Sequence, residues 1–419
     1  MVTFLHISDL HLDRSFEGHM QPSADFLQKL NSANEVTLHR IGQIAIENQV
    51  DFILMTGDNF HQSTSSIRSQ RLLHDFFTTL AENKIDVYLT FGNHDYYQPD
   101  RFWFDFPDNV HIWTSESIET YYHTLPNKEV VAISSFSYTQ PWINENKALD
   151  FPRRKPQESH YHIGMYHGDV GQQVDTHRTQ QYAPTRLSDL LSLNYDYWAL
   201  GHIHVPTVLK NQPPIIYAGT PQGHNKKEQD VRGVLLVNLE KNKVTYQWQP
   251  VATVSYQTLT LSLDERMTKQ KLLETLRLQI NERLVSLEYA TLLFLQIEIE
   301  NEKVSHEEWL EQIQADDVIE ALQAEFPTLT LLDIKRLHTN KRYDARLPLP
   351  LSARDVSQNW DYIMTHKLKD LKQPLWYHRD FERLELGSMI SLDEVEKQVL
   401  NRFEHAFSLQ EDEHDYQKN

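Results

Sequence analysis

The segments Asp9-Leu10-His11 and Gly57-Asp58-Asn59-Phe60-His61 each follow a short apolar run, and this combination decides the fold. The preceding runs, 4–8 and 52–56, have the length and composition of buried parallel strands. Because the carboxyl ends of parallel strands meet at one edge of a sheet, the polar side chains that follow them are expected to converge. Three further segments follow apolar runs in the same way: Gly92-Asn93-His94-Asp95, His167-Gly168-Asp169 and Gly201-His202-Ile203-His204.

The converging residue types, Asp, His and Asn, form a nitrogen and oxygen ligand set suited to Mn, Fe or Zn. Two such ions can neutralise a phosphate, activate a water and stabilise the leaving oxygen in phosphodiester hydrolysis. Asp58 leaves its strand directly after Gly57 and is our candidate for the carboxylate that bridges the two ions. The sequence therefore predicts a two-metal phosphoesterase.

The spacing of the remaining residues predicts two ligand groups. Asp9 and His11 are two residues apart, so in an extended segment both side chains would point to the same side and chelate one ion. His202 and His204 repeat this spacing and could serve one ion each. The predicted groups are Asp9, His11, Asp58 and His204 for one ion, and Asp58, Asn93, His167 and His202 for the other.

His94 follows a predicted ligand, but in an extended loop its side chain would point away from that ligand. We therefore predict that His94 acts as a general acid on the leaving oxygen or stabilises the phosphate. Each of these residues alone has an ordinary interpretation, since most histidines at strand ends are surface or core residues and Gly-Asp is often a turn. The order of five segments, each after an apolar run, favours the metal centre.

In their order, the five segments resemble the calcineurin-like metallophosphoesterase superfamily. The finer resemblance is to the SbcD-like bacterial DNA repair exonucleases, the nuclease subunits of double-strand-break repair complexes. It rests on the histidine three residues after the bridging Asp, on Gly-Asn-His-Asp-Tyr-Tyr at 92–97 and on Tyr-Ala-Gly-Thr-Pro-Gln at 217–222. The resemblance covers residues 1–250 and extends more loosely to 340. The Gly-Thr-Pro within 219–221 departs conservatively from the family's more usual Gly-Ser-Pro.

The resemblance implies an activity and its partners. The activity would be that of a DNA exonuclease or endonuclease with two Mn²⁺ ions, in which His61 and His94 both assist at the phosphate. The partners would be a coiled-coil ATPase similar to SbcC and a second copy of the chain. Two alternatives remain open. One is an enzyme of the same fold acting on phosphoproteins or cyclic nucleotides, and the other is a DNA-end scaffold whose hydrolysis is incidental.

The pattern along the chain predicts an α/β four-layer sandwich, in which two mixed β-sheets are flanked by helices. Apolar residues at three- and four-residue steps predict one of these helices over about 26–48. We predict a metallophosphoesterase domain at 1–252, a smaller α+β capping domain at 253–344, a helical region at 345–410 and an acidic tail at 411–419. One face of a strand in the capping domain, with Leu293 and Leu295, is expected to pack on a helix. The resemblance implies that this domain contacts DNA. The two amphipathic helices beyond it either fold back or bind a partner.

Composition limits the remaining function classes. The formal net charge of −19 over 419 residues argues against a broad basic face, so weak DNA affinity supplemented by a partner would fit both charge and chemistry. The chain contains no cysteine, which excludes disulfides and thiolate zinc sites. We find no signal-peptide pattern and no apolar stretch near the roughly 20 residues that span a bilayer, so we expect a cytoplasmic protein without membrane contact.

Overall fold

The structure is a computed structural model that describes residues 1–17, 24–62, 65–171, 180–229, 232–241, 243–263, 269–287, 292–301, 321–322, 324–326 and 328–338. In chain order the strands are β1 Val2–Ile7, β2 Phe52–Thr56, β3 Asp86–Thr90, β4 Val110–Ile112, β5 Glu119–Thr124, β6 Val130–Ser135, β7 Tyr161–His167, β8 Tyr197–Gly201, β9 Thr207–Asn211, β10 Pro214–Tyr217, β11 Gly233–Glu240, β12 Lys243–Pro250, β13 Val254–Leu263, β14 Leu292–Asn301 and β15 Leu329–His338. The α-helices are α1 Ala24–Asn31, α2 Ala33–Glu47, α3 Ile67–Glu82, α4 Leu187–Ser192 and α5 Lys269–Ser286, and short 3-10 helices span Pro99–Arg101 and Lys147–Asp150. The predicted helical region at 345–410 and acidic tail at 411–419 lie outside the described residues. Among the described helices, none is both long enough and apolar enough to cross a membrane.

Two mixed sheets of six strands each form the centre of the fold. The first has the order β12-β11-β1-β2-β3-β4, in which β1 to β4 are parallel, β11 runs antiparallel to β1, and β12 runs antiparallel to β11. The second has the order β5-β6-β7-β8-β10-β9, with four parallel strands between antiparallel edge strands. The predicted sandwich of two mixed sheets is confirmed.

The central strands are buried on both faces, and alternate residues enter different cores. On β2, Phe52 and Leu54 pack between the two sheets, whereas Ile53 and Met55 lie in a core shared with α2 and α3. This two-sided burial explains why the strand is a continuous apolar run and does not alternate with polar residues. A third core, which includes Leu190 of α4, covers the outer face of the second sheet. These cores separate the four layers of the sandwich.

The apolar pattern predicted one helix over 26–48, and this was wrong, because the structure has two. The break lies at Ser32, between α1 and α2. The backbone N–H of Ser32 donates to the carbonyl of Lys29 at 3.2 Å, and the Ser32 hydroxyl donates to the same carbonyl at 3.0 Å. These short-range bonds occupy the carbonyl that a continuous helix would use one turn later, so the helix ends there.

Strands β13, β14 and β15 form a third, parallel sheet, which we call the small sheet. The prediction of one apolar face on β14 was too narrow. Leu293 and Leu295 are buried as expected, but Leu292 and Phe294 on the opposite face are buried as well, and Phe294 contacts Phe26 of α1 edge to face. The small sheet therefore packs on the helical layer of the sandwich. The domain boundary proposed after residue 252 falls between β12 and β13.

Phe4 fills the space between the two large sheets, so we expect Phe4→Ala to lower the free energy of unfolding by about 3–5 kcal/mol. Its fully buried ring stacks on Phe52 at a centroid distance of 5.3 Å and meets Tyr197 edge to face at 5.2 Å. Leu149 is 73% exposed and provides the control, because Leu149→Ala should change the free energy by less than about 0.5 kcal/mol. Urea unfolding measures both, and equal effects would contradict this account of the core.

Candidate metal centre

The five polar segments meet at one edge of the sandwich, at the carboxyl ends of β1, β2, β3, β7 and β8. Backbone hydrogen bonds connect the loops there, from the N–H of Asp9 to the carbonyl of Gly57 at 3.1 Å and from the N–H of Gly168 to the carbonyl of Gly201 at 3.2 Å. The structure thus brings together side chains that are far apart in the sequence.

One cluster contains Asp9, His11 and His204. Each offers a ligand atom within 4.8 Å of the other two. The Nε2 atoms of His11 and His204 are 3.1 Å apart, and Asp9 and His11 are fully buried. These two ring nitrogens point at the same place. Both can present a lone pair to a cation there, so the arrangement suits a bound cation better than a direct contact between the two rings.

A second cluster contains Asp58, His167 and His202, again with ligand atoms within 4.8 Å of one another. The side-chain oxygen of Asn93 completes it, at 3.1 Å from both His167 Nε2 and His202 Nδ1. Asp169 lies beside it, with its Oδ1 3.5 Å from His202 Nε2. The four residues predicted to hold the second ion are therefore neighbours.

The carboxylate of Asp58 lies between the two clusters. Its Oδ2 is 3.3 Å from His167 Nε2 in the second cluster and 3.9 Å from His11 Nε2 in the first. This position is the one a bridging carboxylate requires. Ligation itself stays a prediction for all seven residues.

The local backbone differs from the extended segment that was predicted for Asp9 and His11. Both residues have left-handed backbone angles, with φ of 53° and 44°, and Asp58 has φ of 54°. The two side chains still converge because the N–H groups of Asp9 and His11 donate to the carbonyls of Gly57 and Asp58 and hold the loop in place. Left-handed conformations are uncommon for residues with a Cβ and often mark functional sites.

Gly92 leaves the space in which the second cluster sits. A Cβ at this position would lie 2.2 Å from Asp58 Oδ1 and 2.7 Å from His167 Nε2. Gly57, at a φ of +76°, is similar, because its Cβ would lie 2.4 Å from His167 Nδ1. Glycines therefore form a cradle around the ligand atoms. The donor set and this cradle fit two divalent cations.

The electrostatics of the centre also favour cations. Burial would raise the pKa of Asp58, but the nearby charge of His167 and a hydrogen bond from it hold that pKa below its usual range. Burial alone would lower the pKa of His167, but the charge of Asp58 and the hydrogen bond raise it. The Asp58 carboxylate thus attracts positive charge to this point. Burial lowers the pKa of His11 well below its usual value despite the charge of Asp58, so its imidazole is neutral and can donate a lone pair.

His61 and His94 form a stacked pair beside the first cluster. Their ring centroids are 4.9 Å apart, and each lies 5.1 Å from the ring of His11. The N–H of His94 donates to Asp58 Oδ1 at 2.9 Å, and the N–H of His61 donates to Asp13 at 2.5 Å. His94 Nδ1 is 3.0 Å from the carbonyl of His61. Because a carbonyl only accepts, Nδ1 carries a proton, and Nε2 is the atom available for proton exchange with a substrate.

Asp95 holds the loops together, and the sequence analysis assigned it no role. Its buried carboxylate accepts backbone N–H groups from Gly92 at 2.7 Å, Asp58 at 3.1 Å and Asn59 at 2.8 Å. Burial and the charge of Asp58 raise its pKa to about 6. Its place in Gly-Asn-His-Asp is visible in the sequence, but a short motif does not reveal which backbone groups a carboxylate will accept.

Glu228 is a second residue that sequence reasoning missed. Its Oε1 is 2.6 Å from His204 Nδ1 and accepts Arg14 Nη1 at 2.9 Å, while its Oε2 accepts the N–H of His224 at 2.6 Å. Burial would raise the pKa of Glu228, but the hydrogen bond with His204 holds that pKa below its usual range. A carboxylate on the outer nitrogen of a ligand histidine fixes its tautomer and orientation. His224 is fully buried beside this residue.

Comparison with known proteins identifies the fold. Residues 2–206 match the sequence model of the calcineurin-like phosphoesterases, and they contain every segment described above from Asp9 to His204. This part of the chain belongs to the calcineurin-like phosphoesterase family. The family uses divalent metals, and the matched residues include both clusters of candidate metal ligands.

Three relatives cover a larger part of the chain. The identity to the uncharacterized metallophosphoesterase YhaO of Bacillus subtilis is 31% over 265 residues, which are 63% of this chain and 64% of that protein. The identity to the DNA double-strand break repair protein Mre11 of Thermoplasma acidophilum is 25% over 254 residues, 58% of this chain and 64% of that protein. A component of the nuclease SbcCD of Bacillus subtilis is 24% identical over 282 residues, 59% of this chain and 68% of that component. The chain thus matches slightly less than two thirds of the first two relatives.

The cradle predicts a large effect of a small substitution. In Gly92→Ala the added methyl group must displace Asp58 or His167, so we expect weaker binding of divalent metal and a roughly 10²-fold slower hydrolysis of a bis-aryl phosphate. Gly42→Ala is the matched control, because a Cβ there would only touch the Phe76 ring at 3.5 Å inside α2. Metal content and rate measure both variants, and a Gly92→Ala protein with unchanged metal content would contradict this geometry.

Proposed function

We propose that this chain is a two-metal nuclease that hydrolyses phosphodiester bonds at DNA ends, with Mn²⁺ as the working metal. The observation that carries the proposal is the position of Asp58 between two ligand clusters, with His61 and His94 stacked beside them. One cation would be held by Asp9, His11, Asp58 and His204, and the other by Asp58, Asn93, His167 and His202. Two bound cations would neutralise the phosphate, make a water more acidic and stabilise the leaving oxygen.

The chain's own residues supply positioning and proton transfer. His94 is anchored at both ends, by its N–H on Asp58 and its Nδ1 on the carbonyl of His61. We propose that its Nε2 gives a proton to the leaving oxygen. His61 is partly exposed beside it and would contact the phosphate. Asp95 holds the loops of Asp58 and Gly92 in register, so that these groups stay in place when substrate enters.

DNA as the substrate is supported by two relatives, whose names describe a DNA double-strand break repair protein and part of a nuclease. Their identity to this chain is 24–25%, whereas the 31% identical relative is named only as a metallophosphoesterase. The net charge of −19 favours delivery of DNA by a partner over tight binding by the chain alone. We propose an SbcC-like coiled-coil ATPase as that partner, a second copy of the chain in the complex, and a cytoplasmic location.

The proposed roles of Asp58 and His94 predict different defects. Asp58→Ala should lose both ions and all hydrolysis, because both clusters share this carboxylate. His94→Asn should retain two ions but turn over roughly 10²–10⁴ times more slowly, the usual effect of removing a general acid. Mn²⁺ titration and single-turnover rates separate the two, with the exposed His39→Asn as the control. Equal metal loss in the His94 and Asp58 variants would show that the role of His94 is wrong.

The substrate is tested with linear duplex DNA and a bis-aryl phosphate, each with Mn²⁺ and each against Asp58→Ala. Degradation of both substrates, lost in the variant, is the expected result. Hydrolysis of the small diester alone, with and without an SbcC-like ATPase added, would contradict the DNA substrate and favour a different phosphoester. DNA binding by Asp58→Ala, with no cleavage by the unmodified chain, would favour the scaffold.

A further inference from the structure

Glu228, the hydrogen-bond partner of His204, is connected to the small sheet through Tyr256 and His224. The hydroxyl of Tyr256 on β13 lies 2.9 Å from the carbonyl of Glu17 and 2.9 Å from the carbonyl of His224, and its proton is shared between them. Tyr256 is 1% exposed, and its ring stacks on Phe294 of β14 at 4.8 Å. This side chain therefore belongs to the small sheet but bonds to two loops at the metal edge.

The same loops hold Glu228. The N–H of His224 donates to Glu228 Oε2 at 2.6 Å, and the N–H of Glu17 donates to the carbonyl of His224 at 2.8 Å. The ring of His224 stacks on Phe16 at 4.8 Å. A displacement of His224 would therefore move the carboxylate of Glu228 as well.

The loop is also bound to the start of β13. The side-chain oxygen of Gln222 accepts the N–H groups of Thr253 at 2.8 Å and Val254 at 3.1 Å, and its nitrogen donates to the carbonyl of Val254 at 2.8 Å. This buried amide pairs with Val254 as a neighbouring strand would. The start of the 222–228 loop is thus hydrogen-bonded to the first residues of the small sheet.

We propose that Tyr256 is a positioning residue for the metal ligand His204, acting through His224 and Glu228. Glu228 accepts the proton of His204 Nδ1, which leaves Nε2 as the ligand atom, 3.1 Å from Nε2 of His11. The small sheet thereby supports the ion of Asp9, His11 and His204. This inference rests on the ligand set proposed above and is independent of the DNA substrate.

In the second cluster, His167 is oriented by the sandwich and not by the small sheet. His167 Nδ1 lies 3.0 Å from the carbonyl of Thr56, at the end of β2 in the centre of the first large sheet. Its orientation is therefore fixed by the sandwich itself. The proposal predicts that disturbing Tyr256 weakens one ion and leaves the other unchanged.

The test is a calorimetric titration of the full chain with Mn²⁺ alone. In Tyr256→Phe we expect one of two binding events to weaken by about 3–10-fold, the range for loss of one neutral hydrogen bond. In Glu228→Gln the same event should weaken by about 10–100-fold. Tyr195→Phe is the matched control, since it also removes a tyrosine hydroxyl from a backbone carbonyl, that of Pro152 at 2.6 Å. It should leave both events unchanged.

A double-mutant cycle separates positioning from a general loss of stability. If Tyr256 acts through Glu228, adding Tyr256→Phe to Glu228→Gln should have no further effect on Mn²⁺ affinity. Additive effects, equal weakening of both ions, or no change in Tyr256→Phe would overturn the proposal. If the unmodified chain binds two ions but the variants do not behave as expected, only the positioning role is contradicted. An unmodified chain that binds fewer than two ions overturns the ligand set and this inference together.

Discussion

A carboxylate buried between two clusters of imidazoles is the constraint on which this site depends. Asp58 is 1% exposed, and an ionised group at such a position is costly unless opposite charge and hydrogen bonds compensate it. The backbone N–H of His94 supplies part of that compensation, and bound cations would supply the rest. The surrounding loops position this carboxylate. Asp95 accepts the backbone N–H of Asp58, and Gly92 leaves room for the Asp58 side-chain oxygen.

The two clusters differ in what supports them. His167 is the last residue of β7, and its Nδ1 bonds to the carbonyl of Thr56 at the end of β2 in the other large sheet. Its position is therefore set by the packing of the two sheets. His204 lies in a loop, and its orientation depends on Glu228. The loop that holds Glu228 is hydrogen-bonded to Tyr256 of the small sheet. A loop held by side-chain hydrogen bonds shifts more easily than a strand within a sheet. The metal centre is therefore rigid on one side and connected to the small sheet on the other.

Prediction from the sequence succeeded where the signal was local and failed where it was not. The strand at 52–56 has the predicted bounds, because its nearly continuous apolar run is typical of a strand buried on both faces. Asp9 and His11 lie close together, but not in the extended segment that was predicted, since both have left-handed angles and bond to the loop of Gly57 and Asp58. The break at Ser32 was missed, because serine in a helical pattern is common and only its bonds to Lys29 end the helix.

The sequence alone shows which polar residues follow each strand, and in what order these segments occur along the chain. Those features follow from chain periodicity and from short motifs, which each segment carries alone. Only the tertiary structure decided that Glu228 orients His204 and that Tyr256 bonds to the loop holding Glu228. The partners Tyr256 and Glu17 are 239 residues apart, and no local pattern encodes a contact that exists only after separate sheets have packed together.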